Sequence, residues 1–393
     1  ALLGASAAPV KTYEVKSPDG RLALVLTAGE RLSFTVARDG ETLVAPSEMA
    51  LTLSTGEVLG ESPRVRSARR RAVTETIDAP LYRQSRFDAA YNELDLRLRG
   101  DYGILARAYD DGVCYRFYTE RDGELTIFDE TAQPHFEGDP SAYIPYSKTE
   151  IPMRTSFENT YEYAPLSKFR TQTVAFMPVL VDLGERGYVL YTESDVEAYP
   201  GVYLTYDKEA KGFAARFAEC PTETSLTKRF QDVVERSADY IARVDGRRSY
   251  PWRIVAYAAT ATELPVNDMV WQTAEASRVA DASWVRDGKI AWDWWNNWGV
   301  YGVDFKSGIN TETYKYFIDF AADNGIEYVA LDEGWGVRDG DVMHVVPEID
   351  LPEIVSYARE KKVGIILWVV AKVLDDKLEE ACRYYSELGV AVF

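Results

Sequence analysis

Tryptophan, carboxylate and amide side chains cluster where two short apolar runs in the last quarter of the chain come to an end. The first run leads into WDWWNNW at positions 292–298, and the second leads into DEGWG at positions 332–336. Tryptophan rings can stack on the apolar faces of sugar rings, while aspartate and asparagine bind sugar hydroxyls by hydrogen bonds. The residue types therefore predict a sugar-binding rim with Trp294, Trp295, Asp332 and Trp335 as its members. The alternative is that these tryptophans pack in a core or at a domain interface.

Three acidic residues, Asp332, Glu333 and Glu193, lie at two places along the chain. Asp332 and Glu333 are adjacent at a strand end, so their side chains point to opposite sides, and we expect Asp332 to be the one that faces a substrate. A cap on the following turn is the alternative role for Asp332. Glu193 lies at the end of a probable strand at 187–192, where spacing alone indicates a solvated surface carboxylate.

The elements that position the rim follow a strand–helix rhythm. Strands are predicted at 290–294, 327–331, 363–370 and 390–393, with helices after Asn310, after Asp350 and over 375–388. This pattern is typical of a parallel (β/α)8 TIM barrel, whose active site lies at the carboxyl ends of its strands and which needs eight units to close. Residues 289–393 supply about four strands, so we expect the first half of such a barrel, within the front portion of a larger enzyme.

Alternating apolar and polar residues dominate the segment 10–255. Leu22, Leu24 and Leu26 form one such set, and short turns such as Asp39-Gly40 separate the sets. Many short strands with hairpin turns predict a large β-sandwich, joined to the barrel by a linker with helical character at 256–288. Residues 1–9 resemble the remnant of a secretory signal peptide, with an Ala-rich tail as the alternative.

Composition excludes several classes of function. The net charge of −19 argues against nucleic acid as a partner, and the chain lacks an apolar run of 18 residues that could insert into a membrane. The presence of only two histidines argues against a histidine-based triad or a histidine-rich metal site, and three scattered cysteines do not form a disulfide framework.

Six segments resemble glycoside hydrolase family 97, the calcium-dependent α-glucosidases and α-galactosidases of Bacteroides-type bacteria. They are 192–204, 250–253, 283–297, 304–314, 319–322 and 328–335, and they include SWVRDGKIAWDWW, GINTETYKYFIDFAA and YVALDEGWG. The similarity extends over essentially the whole chain. It implies a multidomain β plus α/β protein, in which an N-terminal β-super-sandwich precedes the catalytic barrel.

The resemblance also implies a Ca²⁺ in the active site. Glu193 matches the family glutamate that binds this ion from the sandwich, in a segment before Tyr-Pro-Gly. Calcium is a hard cation that takes several oxygen ligands, so one carboxylate from each contributing segment suffices. The catalytic carboxylates of the family would lie beyond Phe393, so the chain alone is expected to be inactive.

These features predict a periplasmic or secreted glycosidase that releases terminal α-linked glucose or galactose from an oligosaccharide substrate. A non-catalytic carbohydrate-binding or scaffold protein is the alternative. Sugar identity, stereochemistry and oligomeric state do not follow from the sequence.

Overall fold

The computed structural model describes residues 10–147, 153 and 157–392, and they divide into two compact units. Among the described residues, the first unit comprises those up to residue 222 and residues 237–277, and the second comprises residues 223–236 and 278–392. The predicted signal segment 1–9 and Phe393 lie outside the described residues. Within the described part of the chain, none of the helices combines the length and the apolar character that crossing a lipid bilayer requires.

Twenty strands lie among the described residues before residue 260. In chain order they are β1 (Lys11–Lys16), β2 (Leu22–Ala28), β3 (Leu32–Arg38), β4 (Glu41–Glu48), β5 (Ala50–Leu53), β6 (Val58–Leu59), β7 (Val65–Asp78), β8 (Arg86–Leu98), β9 (Tyr102–Tyr109), β10 (Gly112–Thr131), β11 (Ser141–Ile144), β12 (Glu162–Pro165), β13 (Val179–Asp182), β14 (Tyr188–Ser194), β15 (Val202–Asp207), β16 (Gly212–Phe217), β17 (Pro221–Leu226), β18 (Asp232–Ser237), β19 (Ala242–Ser249) and β20 (Trp252–Ala258).

The rest of the chain mixes helices with three strands. In order these elements are α1 (Met269–Thr273), β21 (Ile290–Trp292), α2 (Thr311–Asp323), β22 (Tyr328–Leu331), α3 (Leu351–Glu360), β23 (Gly364–Leu367), α4 (Ala371–Asp375) and α5 (Leu378–Leu388). The segment 256–288, predicted as a linker, contains the end of β20, a 3-10 helix at Ala261–Val266 and α1.

The first unit is built from antiparallel sheets that share one hydrophobic core. Strands β1 to β4 form a sheet in chain order, and a twelve-stranded sheet has the path β12-β11-β13-β14-β20-β10-β9-β8-β7. Leu22, Leu24 and Leu26 of the small sheet and Leu94 of the large sheet all lie in that core and are fully buried. Two sheets that bury their inner faces against each other form a sandwich, as the alternation of residues predicts.

One face of β10 is buried although the local pattern alternates. Cys114 lies between Val113 and Tyr115 in this strand, and all three side chains are buried. Cys114 belongs to a second apolar cluster with Trp252 and with Met269 of α1. The helix therefore covers a sheet face that the local alternation predicts to be solvated.

The second unit holds a parallel three-stranded sheet in the order β21-β22-β23. Helix α2 connects the first two strands and α3 connects the next two, so the three strands run in one direction and their carboxyl ends share one edge. Tyr314 and Ile318 of α2 and Ile354 of α3 are fully buried in the core of this unit. The unit also contains residues 223–236, the larger part of the β17–β18 hairpin.

Two of the three predicted helix starts are confirmed, at Asn310 and Asp350, whereas the helix predicted over 375–388 begins at Leu378. The Asn310 side chain caps α2 by accepting a hydrogen bond from the N–H of Thr313, and Asp350 caps α3 by accepting one from the N–H of Glu353.

Two of the predicted strands are too long. Strand β21 ends at Trp292, because Asp293 begins a 3-10 helix, and β23 ends at Leu367 rather than at Val370. In place of a fourth strand, the described residues have a single parallel bridge between Ile366 and Val392.

Candidate functional site

Asp293 organises the edge of the parallel sheet, although sequence reasoning did not select it. Its carboxylate is fully buried and accepts hydrogen bonds from Trp298 Nε1 at 2.9 Å and from the Tyr314 hydroxyl at 2.7 Å. The backbone N–H of Asp332 also donates to it, at 3.2 Å to each carboxylate oxygen. Burial raises the pKa of Asp293 above its usual value, and the hydrogen bonds from Tyr314 and from Asp332 oppose this effect. Asp293 thus ties the end of β21 to the end of β22.

Asp332 follows β22 directly and has 7% of its surface exposed. Its Oδ2 atom accepts a hydrogen bond of 2.6 Å from Trp292 Nε1, and its Oδ1 atom accepts one from the N–H of Glu333. The second contact fits the alternative role as a turn cap, and the first aims the carboxylate at the tryptophan cluster. A carboxylate has about four lone-pair sites, so these bonds leave acceptor capacity for a ligand hydroxyl.

Trp292, Trp294 and Trp295 form an open stack of indole rings. The ring of Trp292 lies 5.8 Å from that of Trp294 and 5.7 Å from that of Trp295, with interplanar angles of 27° and 23°. The exposed fraction is 42% for Trp292, 52% for Trp294 and 80% for Trp295, so the stack is not core packing. It offers aromatic surface next to Asp332, the arrangement that sugar recognition requires.

Trp335 differs from the other predicted rim residues, because it is only 3% exposed. Its indole N–H donates to the carbonyl of Trp368 at 2.8 Å, and its ring meets Tyr385 edge-on at 5.9 Å. Most of the ring therefore packs in the core of the second unit, and little of its face is open for stacking on a sugar.

A cleft opens beside the turn after β22, and its lining includes Arg229 and Phe230 of the β17–β18 hairpin as well as Trp335 and Trp368. Its volume is about 80 Å³, several times the roughly 10–15 Å³ that one water molecule needs.

Glu333 stands at the rim of this cleft between two arginines. Its Oε2 atom pairs with Arg229 at 2.5 Å and its Oε1 atom with Arg338 at 3.0 Å. The two ion pairs use both carboxylate oxygens, so they fix the residue that follows Asp332.

Glu193 lies in β14 of the first unit, where it pairs with Arg253 of the neighbouring strand. Arg253 is fully buried and donates both to Glu193 and to Glu130, reaching the latter at 2.6 and 2.8 Å. The N–H of Val202 donates to Glu193 at 3.0 and 3.2 Å. Burial raises the pKa of Glu193 above its usual value, while Arg253 pulls it down.

Glu193 is therefore a held, mostly buried carboxylate and not a solvated surface side chain. Its oxygens retain acceptor capacity beyond these bonds, so it fits the role of one oxygen ligand to a hard cation. The described residues contain no group of three or more His, Cys, Asp or Glu that could hold a metal ion by themselves.

Asp293 and Trp292 belong to the candidate site, although the residue types and spacing did not single them out. Both lie in the WDWWNNW segment, and the signal was the position of Asp293 as the first residue after the strand. The predicted strand ran on to residue 294, which placed Asp293 inside it. The 3-10 helix that begins at Asp293 instead brings this carboxylate within hydrogen-bond distance of the backbone N–H of Asp332.

Two family profiles match consecutive parts of the chain. The profile described as "Glycosyl-hydrolase 97 N-terminal" matches residues 15–275, and the profile described as "Glycoside hydrolase 97" matches residues 294–393. Together they account for most of both units.

Two curated relatives are similar along nearly the whole chain. A retaining alpha-galactosidase from Bacteroides thetaiotaomicron is 41% identical over an alignment of 392 residues, which covers 98% of this chain and 59% of that protein. A probable retaining alpha-galactosidase from Streptomyces bingchenggensis is 30% identical over an alignment of 372 residues, which covers 91% of this chain and 52% of that protein. The chain thus spans little more than half the length of these relatives.

Solved structures have a similar fold. A glycoside hydrolase family 97 enzyme from Pseudoalteromonas sp. strain K8, in complex with acarbose, superposes with a TM-score of 0.78 at 19% identity, covering 96% of this chain and 58% of that one. A beta-arabinopyranosidase superposes with a TM-score of 0.75 at 21% identity, covering 96% and 61%. The profiles and the curated relatives agree with this fold, and the chain belongs to glycoside hydrolase family 97.

Proposed function

We propose that this chain is part of a retaining α-galactosidase that releases terminal α-linked galactose from oligosaccharides. The observation that carries the proposal is the 41% identity to the Bacteroides thetaiotaomicron enzyme over 98% of the chain. The tryptophan stack beside Asp332 supports it, because it combines aromatic surface with a hydrogen-bond acceptor.

In this proposal the second unit is the first half of a (β/α)8 barrel and the first unit is a β-super-sandwich. Strands β21, β22 and β23 are the first three barrel strands, and the bridge between Ile366 and Val392 marks the fourth. The candidate sugar site then lies at the carboxyl ends of the strands, where active sites of such barrels are found.

The sugar ring would lie on Trp294 and Trp295, with its hydroxyls donating to Asp332. Trp292 holds the Asp332 carboxylate through its indole N–H, so the acceptor is oriented before the sugar arrives. Such preorganisation lowers the entropic cost of binding. Trp335 is buried, so it would contribute indirectly, by packing against the turn that contains Asp332.

A calcium ion is part of the proposal, with Glu193 as one ligand. When bound, the ion would polarise the glycosidic oxygen. Arg253 keeps Glu193 in place and balances its charge together with that of Glu130. Further oxygen ligands are required, because calcium takes six to eight.

Retention requires two carboxyl groups about 5–5.5 Å apart, one as the nucleophile and one as the acid and base. We assign neither role to a residue of this chain. The proposal places both at positions after residue 393, in the part of the relatives' length that the chain does not match.

The polypeptide encoded by the complete gene should be assayed on paired aryl α-galactoside and aryl α-glucoside substrates, with and without a chelator. We expect preferential turnover of the galactoside, α-galactose as the first product by NMR, and loss of activity in chelator that calcium restores. Preferential cleavage of the glucoside or β-galactose as the first product would contradict the proposal. Sugar binding without any turnover would favour a carbohydrate-binding protein.

A further inference from the structure

The β17–β18 hairpin has an unusual residue at its tip. The N–H of Phe230 donates to the carbonyl of Thr227 and the N–H of Thr227 donates to the carbonyl of Gln231, both at 2.9 Å, which closes a three-residue loop. The φ angle of Phe230 is 58°, in the left-handed region. Three-residue hairpin loops place a residue in this region after a type I turn, and glycine is the preferred residue there.

A large aromatic residue in this position is a backbone outlier that the local sequence does not require. Strained residues of this kind concentrate at ligand-binding and active sites, where the surroundings hold them in place. Phe230 is held in this way, because its ring lies against Gly340, where an added Cβ would come within 2.8 Å of the ring.

The ring of Phe230 forms a wall of the cleft beside Glu333. The other lining residues include the apolar side chains of Val342, Val370 and Trp368, the last with 41% of its surface exposed. Arg229 and Arg338, which both pair with Glu333, supply the charged rim. An apolar floor with a few polar groups at its edge is typical of a site for a small organic group.

The cleft and the proposed sugar site are formed in part by the same turn after β22. Glu333 and Trp335, two of its lining residues, follow Asp332 in the same turn. Trp368, another lining residue, follows β23 directly, so the cleft lies at the same carboxyl edge of the parallel sheet as Asp332.

We propose that the cleft is the subsite for the leaving group of the glycoside, and that Phe230 packs against an apolar face of that group, such as an aryl ring. This inference rests on the proposed α-galactosidase activity and assigns a specificity-determining role to the hairpin tip.

The test compares two substrates that share the sugar and differ in the leaving group. Aryl α-galactoside carries a ring that can occupy the cleft, and α-galactosyl fluoride does not. The enzyme encoded by the complete gene is assayed with Phe230→Gly and Phe230→Ala, and with Leu226→Ala as the matched control. Leu226 is an exposed apolar residue of the same hairpin that does not line the cleft.

We expect the ratio of kcat/KM for the aryl substrate to that for the fluoride to fall about three- to tenfold in both Phe230 variants, mainly through KM. The Leu226→Ala variant keeps the wild-type ratio. Phe230→Gly should also keep or raise the Tm, because glycine relieves the left-handed conformation.

The outcomes separate the two proposals. An unchanged ratio in the Phe230 variants, or a lower Tm with equal losses on both substrates, would overturn the leaving-group subsite and leave the activity standing. If the wild-type enzyme cleaves neither α-galactoside, the proposed function fails before the subsite is reached, and the inference falls with it.

Discussion

At the scale of single residues, Asp293 is the side chain that connects the most parts of the candidate site by hydrogen bonds. Three donors from different parts of the second unit converge on its buried carboxylate. If the carboxylate is removed, its buried donors are left without an acceptor, and each of them still pays the free-energy cost of being removed from water. The loss of stability therefore exceeds the net contribution of one hydrogen bond.

The Asp293→Ala variant is expected to lower the free energy of unfolding of the second unit by about 2–4 kcal/mol. The free energy of unfolding of Asp293→Asn should lie between those of Asp293→Ala and the wild type, because asparagine keeps one oxygen that can accept a hydrogen bond. Urea unfolding followed by tryptophan fluorescence measures both. Asp323→Ala, on the exposed end of α2, is the control and should change the value by less than about 0.5 kcal/mol. Equal effects of Asp293→Ala and the control would refute the anchoring role.

The two histidines should titrate on opposite sides of the ordinary value. A hydrogen bond from the His344 ring to Asp339, 2.7 Å long, raises the pKa of His344, and burial lowers the pKa of His135. The contact between His344 and Asp339 therefore stabilises the fold fully below the unfolded pKa, and its contribution is lost as the pH rises through the raised folded pKa.

NMR titration of the two imidazole signals tests this expectation. One midpoint should lie above 6.5 and one below it, and Asp339→Asn should lower the first without moving the second. Coincident midpoints would show that neither environment perturbs its ring.

Residue types alone indicated a sugar site, but not the orientation of each side chain. The sequence placed Trp294, Trp295 and Trp335 in one rim, and burial separates Trp335 from the other two. The reason is physical: a tryptophan at a strand end can turn toward the core or toward solvent, and its indole N–H finds a partner in either place. Whether Asp332, Trp294 and Trp295 bind a sugar stays a prediction.

At the scale of elements, capping residues made the helices predictable. The Asp350 side chain accepts from the N–H of Glu353 at 2.9 Å, and Pro352 occupies the first turn of α3. The N-cap and first-turn positions can be recognised in the sequence because few residue types are favoured there.

Replacing Asp350 with alanine is expected to cost about 1 kcal/mol of stability, and Asp350→Asn should retain most of it. Thermal or urea unfolding of the two variants gives the difference. The same loss in both variants would mean that the negative charge, and not the hydrogen bond to the helix start, is what stabilises α3.

Strand ends were less predictable than helix starts. The run 363–370 is apolar throughout, yet β23 stops at Leu367. A strand buried on both faces has no alternation to mark its limits. The conformation of Phe230 was equally hidden, because no glycine or asparagine occupies the tip of its hairpin to signal a left-handed residue.

At the scale of the whole molecule, the chain has two units with separate cores and spans 59% of its Bacteroides relative. The sandwich and the parallel strands were foreseeable from the change in period near residue 290. That residues 223–236 belong to the second unit could not be predicted, because a hairpin has the same local sequence pattern whichever unit it belongs to.

The 393-residue chain, purified by itself, is expected to show no turnover of an aryl α-galactoside. The proposed function assigns the catalytic carboxylates to positions outside this chain, and binding alone does not lower the barrier of the chemical step. Release of the chromogenic aryl group is the measurement, with the product of the complete gene as the positive control. Turnover that persists after further purification would place the catalytic pair within this chain.

The three stacked indoles near Asp332 give the protein an optical signature of its own. Rings whose centres lie 5.7 and 5.8 Å apart are close enough for their electronic transitions to couple. Such coupling produces a paired positive and negative band in ultraviolet circular dichroism, which depends on ring geometry and not on strand content. Mutation of Trp292 to phenylalanine would abolish the band, and a carbohydrate that tilts any one ring would change it, so binding could be followed without a label.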